Sequence, residues 1–152
     1  MKRVSVAVLG LCIGLWSSVA LAGAPLGLWV SQEGDVKVRL SDCGGKLCGH
    51  VVWLREANDP RTGALKTDKL NPDPAKRSRP LIGLEVATGF VPNGPQRWSG
   101  TIYNADDGHV YRANLIVKSA RTARLEGCML VWLCMGHIWH RVDGGAQETA
   151  LR

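Results

Sequence analysis

Residues 96–119 read Q-R-W-S-G-T-I-Y-N-A-D-D-G-H-V-Y-R-A-N-L-I-V-K-S, two alternating runs joined by the turn-forming stretch Asn104–Gly108. Successive side chains of a strand point to opposite faces, so Trp98, Gly100 and Ile102 share one face with Tyr111, Ala113, Leu115 and Val117. Ser99, Thr101, Tyr103, Arg112, Asn114 and Lys118 share the other. Asp107-Gly108 supplies residues that accept the positive φ of a tight connection. The stretch is an antiparallel hairpin with one face buried. A slip of two residues would change partners but not faces, so the inward set is fixed more firmly than the register.

The same pattern extends in both directions. No segment keeps a helical period over three turns, and Gly, Pro and Asp clusters interrupt the chain about every ten residues. Asp35–Ser41 alternates cleanly, with Val36, Val38 and Leu40 opposite Lys37, Arg39 and Ser41. Strands are also expected at Gly27–Ser31, on both sides of the Cys43–Cys48 turn, at Leu81–Phe90, and around Arg124–Leu130 and Met135–Val142. About eight strands joined in sequence is the number that closes a small barrel. The expected fold is therefore all-β, a single antiparallel barrel over residues 23–142, with 143–152 as a flexible tail that lacks an apolar pattern.

The chain opens as an export signal. Lys2 and Arg3 precede the nearly apolar run Val4–Ala22, and Ala20-Leu21-Ala22 is a small-x-small cleavage site, so the processed chain is expected to begin at Gly23. The apolar run is short for a membrane span and is interrupted by Ser17 and Ser18. Periplasmic or secreted localisation follows. Four cysteines remain beyond the signal, an even number for an oxidising compartment. Their spacing favours two local bridges, Cys43–Cys48 and Cys128–Cys134, over the other two connectivities. A bridged Cys43–Cys48 turn puts Leu40 opposite Val51 and Val38 opposite Trp53, with His50 beside Ser41 on the polar face. Neither spacing is that of a zinc ribbon or a redox C-x-x-C. His137 and His140, three apart on a strand, point to opposite faces. No metal or cofactor is expected.

Between two of these strands lies K-T-D-K-L-N-P-D-P-A-K-R-S-R-P-L-I-G, residues 66–83. Pro72, Pro74 and Pro80 bar Asn71–Pro80 from a central strand or a helix interior, and the residue before each is pushed toward extended geometry. At most a short helical turn fits around Asp73–Ser78. Asp68, Asn71 and Asp73 are the loop's organising residues: Asp68 and Asn71 as turn caps, and Asp73 as the partner of Arg77 or Arg79. Between Arg55 and Pro80 seven basic residues face four acidic ones, so much of the chain's net charge of +6 lies here. The loop lacks the interleaved aromatics of a base-stacking surface, which argues against nucleic acid. An arginine left unpaired would face an anion at the rim.

Gly27-Leu-Trp29 opens the strands and Trp139-His-Arg141 closes them, which resembles the lipocalin arrangement of a first-strand Gly-x-Trp covered by an arginine from the last strand. Together with Val51-Val-Trp53-Leu, Asp68-x-x-Asn71-Pro-Asp-Pro, Arg79-Pro-Leu-Ile-Gly83, Trp98-x-Gly-x-Ile-Tyr103 and Asp107-Gly-x-x-Tyr111, the pattern resembles the exported bacterial family catalogued as domain of unknown function family 2147. That resemblance implies a lipocalin-like barrel outside the cytoplasm and brings no reaction with it. The apolar turn Met129–Leu133 departs from the family pattern.

Three functions fit these residues. The first is binding of a small, partly apolar and anionic molecule, with Trp53, Trp98, Tyr111 and Trp132 in the wall and Arg77 and Arg79 at the rim; the aromatics would equally fill the barrel as core. The second is a hydrolase using the Asp68–Arg79 loop for acid/base chemistry. The third is an envelope interaction module without a small ligand, meeting a membrane surface or a protein through Met129, Leu130, Val131, Trp132 and Leu133.

Overall fold

The computed structural model describes residues 23–129 and 133–142. The expected signal, Met1–Ala22, lies outside them, as do Leu130–Trp132 of the β7–β8 turn and the tail from Asp143. Eight antiparallel strands follow one another around a closed barrel: β1 (Gly27–Ser31), β2 (Val36–Asp42), β3 (Leu47–Leu54), β4 (Glu85–Pro92), β5 (Arg97–Asn104), β6 (His109–Ser119), β7 (Thr122–Cys128) and β8 (Cys134–Arg141). Closure is made where β1 meets β8, with Trp29 opposite Arg141, Val30 opposite His140 and Ser31 opposite Trp139. Closing the sheet removes free edges there, the structural gain of a barrel over an open sheet.

The β5–β6 hairpin takes the faces its alternation requires: Trp98 pairs with Leu115, Gly100 with Ala113 and Ile102 with Tyr111. Both disulfides are local, Cys43–Cys48 and Cys128–Cys134. The β2–β3 register differs from expectation. Leu40 lies opposite Gly49 and Val38 opposite Val51, while Trp53 lies opposite Lys37, because Val52 is an extra residue in β3. This bulge rotates Trp53 to the outer surface, where it is 39% exposed and Lys37 Nζ stands 4.6 Å from its ring centroid. β4 begins at Glu85 rather than Leu81. Leu81–Leu84 belong to the loop and are stitched to β3 by Gly83 N–H donating to Val51 O and Val51 N–H to Leu84 O.

Alternating strands put the β1–β2, β3–β4, β5–β6 and β7–β8 connections at one end of the barrel and the remaining connections at the other. The second end is filled. Trp29, Leu47, Phe90, Trp98, Ala113, Leu115 and Ala123 form a buried cluster there. Gly100 makes room for the Phe90 ring, since a Cβ on it would sit 2.6 Å from that ring. The N-terminal approach crosses this end and is held by Trp29 Nε1–H donating to Pro25 O at 2.9 Å. Arg141 lies over Trp29, 4.6 Å from its ring centroid, and donates to Ala120 O at 2.9 Å and Leu26 O at 2.5 Å.

Candidate functional site

Above the filled end the barrel is hollow. A cavity of about 920 Å³ opens at the end bearing the β1–β2, β3–β4, β5–β6 and β7–β8 connections, within the volume range of small-molecule sites. Trp29, Leu47, Ala87, Phe90 and Leu115 make its floor, and Val38, Leu40, Val51, Leu54, Ile102 and Leu125 its wall. These come from inward positions of successive strands, which is why alternation in the sequence becomes an apolar lining. Small inward residues create the space. Gly127 faces the cavity with only the flexible end of Ile102 near its missing Cβ.

The mouth is polar. Ser31 and Asp35 sit at the β1–β2 turn, where the Ser31 hydroxyl donates to Asp35 Oδ1 and accepts from the amides of Asp35 and Val36. The Ser31 hydrogen bond, with the neighbouring Arg55, holds the Asp35 carboxyl below its ordinary range despite some desolvation. On the β5–β6 turn, Asp107 accepts from Tyr111 Oη at 2.7 Å, Asn104 Nδ2 at 2.9 Å and His109 N–H at 2.8 Å. Burial alone would push its pKa up, but these donors outweigh it and the carboxyl titrates low.

The β3–β4 loop is ordered by one buried carboxylate. Asp68 is fully buried. Its Oδ1 accepts from Tyr103 Oη at 2.5 Å, and its Oδ2 from Asn71 Nδ2 at 2.8 Å, Arg79 Nε at 2.9 Å and Arg79 Nη2 at 2.8 Å. Burial raises its pKa, but the bonds from Tyr103, Asn71 and Arg79 together hold it below the ordinary value. The backbone repeats the arrangement, with Asp68 N–H donating to Arg79 O and a bridge between Thr67 and Pro80. With three donors on Oδ2, one on Oδ1 and full burial, this carboxylate is occupied inside the loop.

Arg79 and Arg77 are not among the residues that line this cavity. Arg79 is committed to Asp68, and Arg77 Nε donates to Asn71 O at 2.7 Å. Asp73 pairs with neither arginine: it caps the 3-10 turn Pro74–Lys76 through Ala75 N–H and meets Lys76 at 3.2 Å. Proximity decides this, because Lys76 is three residues away on the same turn. Asn71 caps as expected, its Oδ1 accepting from Asp73 N–H. Of the aromatics read as wall, Tyr111 lines the cavity. Trp53 stands outside, Trp98 is buried in the floor cluster beneath, and Trp132 lies outside the described residues. Trp139, His137 and Met135 line the cavity without having been singled out for it. Stepping by two from Arg141, which closes the inner end beside Trp29, would have placed all three on the inner face. Among the described residues no group of three His, Cys, Asp or Glu side chains is arranged to hold a metal.

A family model described as an uncharacterized protein conserved in bacteria (DUF2147) matches residues 27–141. The chain belongs to that family. The matched span runs from the first residue of β1 to the last of β8. This DUF2147 chain is similar to a solved structure described as protein HP1028 from the human pathogen Helicobacter pylori, which belongs to the lipocalin family. The TM-score is 0.67 at 22% identity, covering 78% of this chain and 83% of that one. At this identity the likeness is one of fold, a lipocalin-like barrel. No curated protein matches the chain.

Proposed function

We propose that this DUF2147 protein works outside the cytoplasm as a binding protein for a small, mainly apolar molecule held within the barrel. The observation that carries the reading is the open cavity of about 920 Å³ with an aliphatic and aromatic lining. A core packed for stability alone would fill that volume, because interiors are close-packed and voids are destabilising. Two disulfides fit an oxidising compartment, and no helix among the described residues is long and apolar enough to cross a membrane. Native mass spectrometry of protein purified from its own periplasm tests the proposal. A retained small molecule, released on unfolding, is the expected result. The bare polypeptide mass, with no uptake of a neutral apolar probe, would contradict it.

One observation favours an added surface contact. Met129 is 68% exposed, Leu133 45% and Met135 66%, all at the tip of the β7–β8 hairpin. Met129 and Met135 also border the cavity mouth. Apolar side chains held at a rim by a disulfide suit contact with a lipid surface or a protein from which a ligand enters.

A further inference from the structure

The mouth of the cavity carries a charge opposite to that of the chain. The whole sequence has a formal net charge of +6, yet five carboxylates border the opening, Glu33, Asp35, Glu56, Asp106 and Asp107, against the cations Arg55 and Lys66. Five carboxylates against two cations leave the opening a formal net charge of −3; Lys66 Nζ meets Glu56 at 3.4 Å, and Arg55 Nη2 donates to the main-chain Glu33 O. The basic residues of the 66–79 loop are spent elsewhere, Lys69 on Asp59, Lys76 on Asp73, Arg77 on Asn71 O and Arg79 on Asp68. His137 also lines the cavity, and His109 Nδ1 stands 3.5 Å from the mouth carboxylate of Asp107. Below the carboxylates the lining is apolar, with Trp139 packed against the floor cluster; Tyr111 lines the cavity beside Asp107, and Tyr103 does so with the Arg79 guanidinium 5.8 Å from its ring centroid.

We infer that the ligand is an amphiphile with an apolar tail and a cationic, ammonium-type head. The inference rests on the binding role proposed above and adds the charge of the head. The tail occupies the floor and wall around Phe90, Leu115, Val51 and Leu125, and the head stays at the mouth. There, carboxylates at the edge of an apolar cavity concentrate a negative potential, and aromatic faces attract cations. An anionic head would meet the same field with the opposite sign. Asp35 and Asp107 keep their charge at neutral pH because hydrogen-bond donors hold both below the ordinary carboxylate range.

The test uses three dodecyl compounds with one tail and different heads: trimethylammonium, alcohol and carboxylate. Each is titrated below its micelle concentration by intrinsic tryptophan fluorescence and calorimetry. The ammonium compound is expected to bind on the order of ten-fold tighter than the alcohol at low salt, and the carboxylate weaker than either, with the spread shrinking at about 0.5 M salt. The triple variant Glu33→Gln, Glu56→Gln, Asp106→Asn alters side chains that hold no buried network and is expected to erase most of the spread. Lys66→Gln shifts it the other way and strengthens the ammonium preference. Carboxylate binding equal to or tighter than ammonium, or a spread untouched by the triple variant, would overturn the cationic head while leaving binding itself in place. Failure of all three compounds to bind would overturn the binding role, and this inference with it.

Discussion

The Tyr103 hydroxyl donates to Asp68 Oδ1 at 2.5 Å, joining residues 35 apart in sequence and locking the β3–β4 loop onto the β5–β6 hairpin. Asp68→Ala removes this bond and those from Asn71 and Arg79 together, leaving four donor atoms of three residues without this acceptor. A loss of about 3 kcal/mol is expected, read as a fall in the urea midpoint at constant slope. A change within about 0.5 kcal/mol would mean that the loop does not depend on this carboxylate.

The same network sets a pH dependence. The folded pKa of Asp68 lies below its ordinary value of 3.8, so its ionisation stabilises the fold at every pH above that value. The contribution is lost as pH falls through the lower folded pKa. Asp35 and Asp107 share this sign, so the difference between wild type and Asp68→Asn isolates one group. Thermal melts down to about pH 2 are expected to show a shallower acid decline in Asp68→Asn. Parallel curves would contradict the assignment.

Gly108 is pressed against the same loop. A Cβ there would stand 2.0 Å from Leu70 O, at a φ of +75°, whereas Gly63 has φ +70° and nothing within 4 Å. Gly63→Ala bears only the left-handed penalty of about 1 kcal/mol. Gly108→Ala adds displacement of the loop backbone, and a loss of at least about 2 kcal/mol is expected. Equal denaturation midpoints for the two variants would show that loop and hairpin do not touch as described.

Much of this fold is legible from alternation. The inward faces of β5 and β6 and the local disulfides follow from residue order, because each depends on neighbours a few positions apart, while the Trp29–Arg141 closure is what the resemblance to the lipocalin first and last strands implies. The missed features depend on events without a local mark. Nothing in Val51-Val-Trp53-Leu announces that Val52 is an extra residue, yet it moves Trp53 from wall to surface. The pairing of Asp68 with Arg79 depends on the loop folding back on itself between Thr67 and Pro80, which outranks the nearer candidate Asp73. The depth of the cavity depends on which levels of the barrel receive Gly127, Ala87 and Phe90, and strand stagger sets those levels.

Arg141 seals the filled end, away from the cavity mouth. Arg141→Ala loses the stack on Trp29 and two bonds to backbone carbonyls, so a stability loss of about 2 kcal/mol is expected. Lysine cannot reproduce the planar stack or the divergent donors, so Arg141→Lys should recover little of it. Chemical denaturation of the three proteins checks this. Full recovery by lysine would reduce the contact to simple charge.

The hollow upper half of the barrel is proposed to take an apolar molecule. The most direct measurement of this is titration of N-phenyl-1-naphthylamine, a neutral probe that fluoresces in apolar surroundings, into wild type and Leu125→Trp. Leu125 lines the cavity and is partly buried, so an indole there occupies ligand space, and a circular dichroism melt confirms that the variant folds. Saturable binding of one probe per chain, weakened at least about ten-fold by Leu125→Trp, is the predicted result. Non-saturable binding, or equal affinity in a folded Leu125→Trp, would contradict it.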